Sequence, residues 1–275
     1  MSAVIAIQCY REEMSREEKA SLVQCGRIFG AKYDVVFFVP ESLECSAYLE
    51  ILPHARLERF EDKYFTSVST YSWLLLSPEF YLRFQAYEYM LIYQLDAWVF
   101  RDELEYWCQK GYDYIGAPFL QKYGKVEQVV IGNGGFSLRK ISAMLRVLNN
   151  TERRMFAPAQ LKEFFKFYIA QGKFQQAVKP LLRMFHLYPN NRGKYLEQIR
   201  HEKYNSEDKV FTFLSCEFTD DGLSMPDVEE AALFSLDTYP DHFFRNLPFG
   251  CHAWMKGSAP FWKKDIPELS ENDVC

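Results

Sequence analysis

The chain opens with two continuous apolar runs separated by an amphipathic segment. The runs are Ala3–Tyr10 and Tyr33–Pro40, and between them Ser15 is placed to cap a helix over Arg16–Ile28. Continuous apolar runs, in contrast to alternating ones, are typical of parallel strands that are buried on both faces. The pattern therefore predicts a βαβ unit with helices covering both faces of a sheet.

Three further segments extend this pattern. Met90–Phe100 predicts a third strand, followed by a helix with an acidic first turn, and Tyr112–Pro118 predicts a short strand. The apolar stretch from Val129 breaks at Gly132–Gly135 and then predicts a strand-to-helix transition at Ser137–Lys140. Together these elements indicate an α/β class with a mixed sheet flanked by helices.

A basic helical segment interrupts the later part of the chain. From Ile141 to about Asn205 the pattern is helical, and residues 151–205 carry eleven Lys and Arg against four Glu, a net charge of +7 in a chain of net charge −5. We therefore predict one domain over residues 1–275 with a basic helical insertion at about 150–203. Such an insertion would present an acceptor molecule or dock at an anionic membrane, although solvated helices also carry this charge.

Composition limits the function classes. The acidic balance of the 275-residue chain argues against a nucleic-acid binder. No apolar run approaches the ~18–20 residues of a membrane span, so we expect a cytoplasmic protein with at most peripheral contact at the inner face of the plasma membrane. The seven cysteines are scattered without metal-ligand spacing, which predicts reduced, mostly buried thiols.

Asp96 interrupts an apolar stretch ahead of a helix. A carboxylate at the end of a buried strand needs a metal ion, a cation or hydrogen-bond donors to compensate it, and this edge of an α/β sheet is where ligands bind. The alternative is that Asp96 caps the helix that begins near Asp102. By the same edge argument, Tyr10 and Arg11 after the first strand and Glu41 after the second would lie where a nucleobase binds.

Three later features could carry chemistry. Gly132–Phe136 lacks the spacing of a dinucleotide or Walker loop, but its glycines would allow a ligand to approach the backbone closely. Glu207 and Asp208 form an acidic pair, which is either catalytic or a solvated helix start. His252 lies in an aromatic segment, either as a hydrogen-bonded structural residue or as a ligand for a metal ion or pyrophosphate.

The order of these features resembles GT-A glycosyltransferases. Six sequence blocks narrow the resemblance: YxxLLLSPxFY (Tyr71–Tyr81), YxxMLIYQLDAWVF (Tyr87–Phe100), YDYIGAP (Tyr112–Pro118), GNGGFSLRK (Gly132–Lys140), NSEDKVF (Asn205–Phe211) and LPFGCHAW (Leu247–Trp254). These blocks resemble the DUF5672 family. The resemblance implies a GT-A-like domain that transfers a sugar from a nucleotide-sugar donor to a glycan or lipid-linked acceptor, in bacterial surface-polysaccharide synthesis.

The resemblance also implies roles for individual residues. Asp96 and His252 would hold a divalent cation, Mn²⁺ or Mg²⁺, at the donor diphosphate. Asn133, Gly134 and Gly135 would border the donor sugar. Either Asp208 or Glu207 would activate the acceptor hydroxyl, which favours an inverting reaction because one carboxylate is then needed on the acceptor side.

One departure from the GT-A pattern leaves alternatives open. The usual metal motif has two aspartates flanking one position, whereas Asp96 is followed by Ala97 and Trp98. A metal-independent site, in which basic side chains assist the leaving diphosphate, is therefore an alternative. A non-catalytic sugar- or nucleotide-binding assembly protein and a phosphosugar transferase are the alternative functions.

Overall fold

Eleven strands are present in the part of the chain that the structure, a computed structural model, describes. The described residues are 2–123, 126–149, 165–166, 168–178, 206–215, 222–256 and 258–269. In chain order the strands are β1 Ala3–Gln8, β2 Asp34–Pro40, β3 Arg56–Phe60, β4 Tyr89–Tyr93, β5 Ala97–Val99, β6 Tyr114–Gly116, β7 Pro118–Tyr123, β8 Val126–Ile131, β9 Phe136–Lys140, β10 Ser235–Leu236 and β11 Gly250–His252.

Helices connect these strands. The first six are α1 Arg16–Phe29, α2 Ser46–Ile51, α3 Val68–Leu75, α4 Pro78–Leu82, α5 Leu104–Gln109 and α6 Ile141–Asn149. Short helices follow at Glu207–Lys209, Val228–Phe234, Pro240–Phe243 and Ala259–Trp262, with single helical turns at Asp62–Phe65, Val210–Leu214 and Pro267–Leu269. None of the helices in the described ranges is long and apolar enough to cross a membrane.

The central sheet has six strands in the order β3-β2-β1-β4-β9-β6. β1 to β4 are parallel, and β9 is antiparallel to both β4 and β6. The predicted mixed α/β sheet flanked by helices is therefore confirmed. Because β1, β2 and β4 are parallel neighbours, their carboxyl ends meet at one edge, which we call the carboxyl edge.

The predicted βαβ opening is also confirmed. α1 begins after Ser15, whose hydroxyl accepts from the Glu18 backbone N–H while the Glu18 carboxylate accepts from the Ser15 N–H. This reciprocal capping box satisfies two amide groups that a helix start leaves unpaired. On its buried face, the Ser21 hydroxyl and the Gln24 amide each donate to a β5 carbonyl, at 2.6 Å.

Both faces of the central sheet are buried, which explains the continuous apolar runs. Within β1, Ile5 and Ile7 pack towards α1 and α2, whereas Val4 and Ala6 pack towards α3, α4 and α6. All four side chains are fully buried. Since neighbouring residues of a strand face opposite sides, a strand covered by helices on both sides needs apolar residues at every position.

Two boundaries differ from the sequence prediction. Met90–Phe100 is two strands in two sheets, because the chain leaves the central sheet after β4, turns, and enters a three-stranded sheet of order β10-β11-β5. Ser137–Lys140 is wholly strand, since β9 pairs along its length with β4 and the helix begins only at Ile141. Most of the predicted insertion at about 150–203 lies outside the described residues.

Five of the seven cysteines lie in the described residues, and all five are buried, as the sequence predicted. Cys9, Cys25, Cys45, Cys108 and Cys251 are free and buried. Burial raises the pKa of each of these thiols, because the thiolate loses its hydration. Cys216 and Cys275 lie outside the described residues.

Phe136 links the central sheet to the three-stranded sheet. Its fully buried ring contacts Tyr93, Phe234 and Phe249 at centroid distances of 5.7, 5.4 and 5.4 Å. We expect Phe136→Ala to lower the free energy of unfolding by about 3–5 kcal/mol, because it removes buried surface and leaves a cavity. Denaturant unfolding measures this loss.

The matched control is Phe174→Ala, at a side chain that is 66% exposed. Its expected cost lies within about 0.5 kcal/mol of zero. Equal losses for the two variants would contradict the linking role of Phe136.

Candidate functional site at the carboxyl edge

Asp96 lies in the turn at which the chain leaves the central sheet. The turn is closed by the Ala97 N–H, which donates to the Gln94 carbonyl at 2.8 Å, and it is tied to the glycine loop by the Gln94 N–H, which donates to the Gly135 carbonyl at 2.9 Å. β5 separates Asp96 from the helix that begins at Leu104. Asp96 is therefore not a helix cap, and its carboxylate faces β11.

His252, on β11, joins three polar side chains. Its Nε2 atom lies 3.1 Å from both Asp96 Oδ1 and Gln94 Oε1, and its Nδ1 atom lies 3.3 Å from Asp237 Oδ1. Burial lowers the pKa of His252, but its hydrogen bonds to Asp237 and Asp96 outweigh burial and raise the pKa to about 9. Burial raises the pKa of Asp96, but the hydrogen bonds and positive charges of His252 and Lys256 outweigh burial. The pKa of Asp96 is therefore lower than that of an ordinary aspartate.

Lys256 brings an exposed positive charge to the same point. Its ammonium donates to Asp96 Oδ2 at 2.5 Å, and the side chain is 70% exposed. The Tyr10 hydroxyl is near enough to contribute to the raised pKa of Lys256, after the larger effects of burial, which lowers it, and of Asp96, which raises it. Asp96 thus lies between a partly buried imidazole and a cation that is open to solvent.

The glycine loop, Gly132–Gly135, packs against this group. The Asn133 side-chain amide donates to Asp237 Oδ2 at 2.8 Å, and the Gly135 N–H donates to Asn133 Oδ1 at 2.9 Å. A β-carbon added to Gly135 would lie 2.1 Å from His252 Nε2. Gly135 is therefore required for the close approach of the His252 ring, whatever ligand binds nearby.

Glu207 and Asp208 lie on the other side of the same loop. A β-carbon added to Gly134 would lie 2.6 Å from Glu207 Oε1 and 3.5 Å from Asp208 Cβ. Glu207 is buried, with Oε1 accepting from Arg139 at 3.1 Å and Oε2 accepting from Ser72 at 2.9 Å. Both of its oxygens are thus engaged inside the protein.

Asp208 differs from Glu207 in how the described residues engage its oxygens. Among the described residues, its hydrogen bonds come from the Ser206 hydroxyl and from the Lys209 N–H at 2.7 Å, and both end on Oδ1. Burial, and then the charge of Glu207, raise the pKa of Asp208 to about 6. Asp208 is thus a carboxylate of raised pKa with one oxygen, Oδ2, that no described residue engages.

The donor set fits a divalent cation only with help from a ligand. Across the described ranges, no group of three or more His, Cys, Asp and Glu side chains could hold a metal ion. Asp96 Oδ1 and His252 Nε2 are nevertheless adjacent, and Asp237 on Nδ1 orients the ring as carboxylates do for metal-bound histidines. Two protein ligands together with diphosphate oxygens would form a site for Mn²⁺ or Mg²⁺.

The other predicted nucleotide contacts lie on the carboxyl edge but outside the cluster formed by Gln94, Asp96, Asp237, His252 and Lys256. Tyr10, two residues after β1, is 48% exposed, and Arg11 pairs with Glu18 at 2.6 Å. Glu41 follows β2, where its backbone carbonyl accepts from Arg59 at 2.8 Å. Their positions agree with the edge argument, while nucleobase binding by these residues stays a prediction.

Sequence reasoning missed four residues: Gln94, Arg139, Asp237 and Lys256. Gln94 and Arg139 carried a signal, because each is a polar residue within an otherwise apolar strand pattern. Asp237 and Lys256 carried none, since both come from loop-rich sequence whose position depends on β10 and β11.

A cavity of about 580 Å³ opens at the opposite edge of the sheet. It is lined by the residues that precede β1, β2 and β3 and by Lys32, Tyr87 and Glu105. Its charged groups are already paired, since Lys32 binds Asp102 at 2.9 Å. The candidate chemistry therefore lies across the sheet from this cavity.

Gly135→Ala tests the packing of the glycine loop. The added methyl group would displace the His252 ring, so we expect a loss of about 1–3 kcal/mol in the free energy of unfolding. The control is Gly111→Asn, because Gly111 has φ +76 with no atom within 4 Å of an added β-carbon, and asparagine tolerates this conformation. An unchanged melting curve for Gly135→Ala would contradict the contact.

Solved structures with a similar chain arrangement include two glycosyltransferases. One is core-mannan synthase A from Aspergillus fumigatus in its Mn/GDP form, with 10% identity and a TM-score of 0.44, covering 80% of this chain and 71% of that one. The other is a glycosyltransferase involved in the glycosylation of the major capsid of PBCV-1, with 11% identity and a TM-score of 0.45, covering 98% of this chain and 100% of that one.

Comparison with known protein families assigns the chain more firmly than the solved structures do. A comparison with curated protein sequences finds no significant match. The family described as "Protein of unknown function (DUF5672)" matches residues 54–252, a span that includes the glycine loop and every residue of the cluster except Lys256. The chain therefore belongs to the DUF5672 family.

Proposed function

We propose that this protein is a glycosyltransferase that uses a nucleotide-sugar donor. One observation carries the proposal. The backbone of Gly134 and Gly135 separates two sets of polar side chains, one suited to bind a diphosphate and the other suited to accept a proton from a hydroxyl group. On one side lie Asp96, His252 and Lys256, which suit a diphosphate, and on the other lies Asp208, which suits a hydroxyl group. A sugar bound along this loop would have its leaving group at one end and its acceptor at the other.

The donor side has the charges that a diphosphate needs. Lys256 is exposed and would neutralise the departing oxygens, and a protonated His252 would add a second positive charge beside them. Where a divalent cation binds, Asp96 and His252 would hold it, and it would supply charge neutralisation to the diphosphate. The solvent-facing lysine keeps the metal-independent alternative open.

On the acceptor side, Asp208 is the suitable base among the residues that the structure describes. Asp208 would take the proton of the acceptor hydroxyl as that oxygen attacks the anomeric carbon of the donor sugar. The bond from this carbon to the diphosphate breaks, and the electron pair leaves with the diphosphate. Because Asp208 and Lys256 belong to opposite sides of the loop, attack would come from the face opposite the leaving group, so the reaction would invert the anomeric centre.

The remaining parts of the proposal concern acceptor and location. We propose a glycan or lipid-linked acceptor, and a role in bacterial surface-polysaccharide synthesis as the family resemblance implies. The basic segment at about 150–203 would contact the acceptor or an anionic membrane from the cytoplasmic side. That segment lies mostly outside the described residues, so the support comes from its charge alone.

Heat stabilisation by nucleotides tests the donor site. We expect a panel of nucleoside diphosphates and nucleotide sugars, with and without Mn²⁺, to raise the melting temperature of the wild type. Asp96→Ala should remove most of this shift while leaving the fold intact, since the Asp96 side chain binds polar groups at the surface of the site. Circular dichroism checks the fold.

The matched control is Asp102→Ala, which removes another lysine-bound aspartate distant from the carboxyl edge. It should keep the nucleotide shift. Stabilisation together with slow donor hydrolysis supports the transferase. Stabilisation without hydrolysis or transfer would favour the binding protein, and transfer of the phosphosugar itself would favour the phosphosugar transferase.

The pH dependence of transfer tests Asp208. The base must be ionised, and its pKa is raised to about 6, so log kcat/KM should rise with pH up to about 6 and level off above it. Asp208→Asn should lower kcat by about 10²–10⁴-fold, the typical contribution of a general base. Near-normal turnover in Asp208→Asn would exclude Asp208 as the base.

A further inference from the structure

We propose that the buried Arg139–Glu207 ion pair is a positioning device, which fixes the glycine loop and Asp208 relative to each other and leaves the proton transfer to Asp208. The inference rests on the proposed function in assigning a base to this site. It goes further by separating the roles of the two adjacent carboxylates: Glu207 positions, and Asp208 reacts.

Arg139 is well placed to hold several elements together. Its guanidinium is fully buried and donates to the Tyr81 hydroxyl at 3.0 Å, the Ser137 hydroxyl at 3.0 Å, the Gly134 carbonyl at 3.3 Å and Glu207 Oε1 at 3.1 Å. One planar cation thereby connects α4, β9, the glycine loop and the helix that carries Asp208. Lysine, a point charge with three donors, could not make this set of bonds.

The geometry of Glu207 shows why the pair acts through position. Its side chain is 5% exposed, and its two oxygens are bound to Arg139 and Ser72, so it cannot reach an acceptor hydroxyl. Burying two opposite charges adds little net stability, because their lost hydration offsets their attraction. What the pair adds is a fixed orientation of the glycine loop beside Asp208.

The surroundings of Asp208 connect the pair to reactivity. Among the described residues, the groups that face Asp208 are Glu207 and Lys209 on its own helix and Tyr114 on β6, while Arg139 on β9 faces it across Gly134. On α3, Tyr71 interacts with Glu207. The negative charge of Glu207 raises the pKa of Asp208, in addition to the larger effect of burial. Removing that charge should therefore shift the titration of Asp208 to lower pH.

Glu207→Gln tests this link without an activity assay. The amide keeps the size of the side chain and can still bind Ser72, so the variant should melt cooperatively. In protein labelled with isotope at the aspartate carboxyl carbons, NMR should show the Asp208 titration midpoint moving below its wild-type position near 6. The control is Asp113→Asn. It removes the carboxylate that binds the exposed Arg146 guanidinium at 2.9 Å, and it should leave the Asp208 midpoint unchanged.

A second variant separates positioning from simple stabilisation. Arg139→Met combined with Glu207→Leu replaces the ion pair by apolar side chains of similar volume, a change that proteins often tolerate. We expect the double variant to fold but to lose about 100-fold in kcat, because the loop and Asp208 lose their common anchor. The KM for the donor should change less than kcat.

The outcomes are distinguishable. An unchanged Asp208 midpoint in Glu207→Gln, or a folded double variant with wild-type kcat, would overturn the positioning role. Absence of sugar transfer in the wild type would contradict the proposed function, while the NMR titration would still test the link between Glu207 and Asp208. A shifted midpoint with reduced kcat in the double variant supports the inference.

Discussion

The close packing of Gly134 and Gly135 between His252 and Glu207 is the constraint on which the rest of the site depends. An added β-carbon would lie 2.1 Å from the His252 ring at one glycine and 2.6 Å from the Glu207 carboxylate at the other. Only a backbone without side chains brings the two polar groups this close together. The loop thereby sets the distance between the donor side and the acceptor side of the proposed reaction.

Among the described residues beside this loop, most of the inner charges are paired with one another. His252 lies between Asp96 and Asp237, and Arg139 lies against Glu207. Unpaired, each of these charges would carry a large desolvation cost inside the protein. The two groups that remain available are Lys256, because it is exposed, and Asp208, because only one of its oxygens is bound among the described residues. Lys256 and Asp208 are thus the groups that can still bind a ligand, because the inner charges are bound to one another.

Sequence patterns were sufficient for much of the fold. The βαβ opening, the α1 cap at Ser15 and the buried strands follow from local signals, namely apolar periodicity and a capping side chain. The division of Met90–Phe100 into β4 and β5 did not follow, because both strands are apolar and the turn between them is specified by pairing with β11 and β9. Ser137–Lys140 was likewise misjudged, since its strand state depends on partners on both sides.

For the site, the sequence by itself determined which residues stand out chemically: Asp96, the glycines, the Glu207–Asp208 pair and His252. It did not determine their neighbours. Gln94, Asp237 and Lys256 meet at His252 and Asp96 only because β10, β11 and β5 pair in a second sheet. Nor could it separate Glu207 from Asp208, which are adjacent in the chain. Tertiary structure decided that difference, because Glu207 is buried with one oxygen bound to Arg139 and the other to Ser72, whereas the described residues bind only Oδ1 of Asp208.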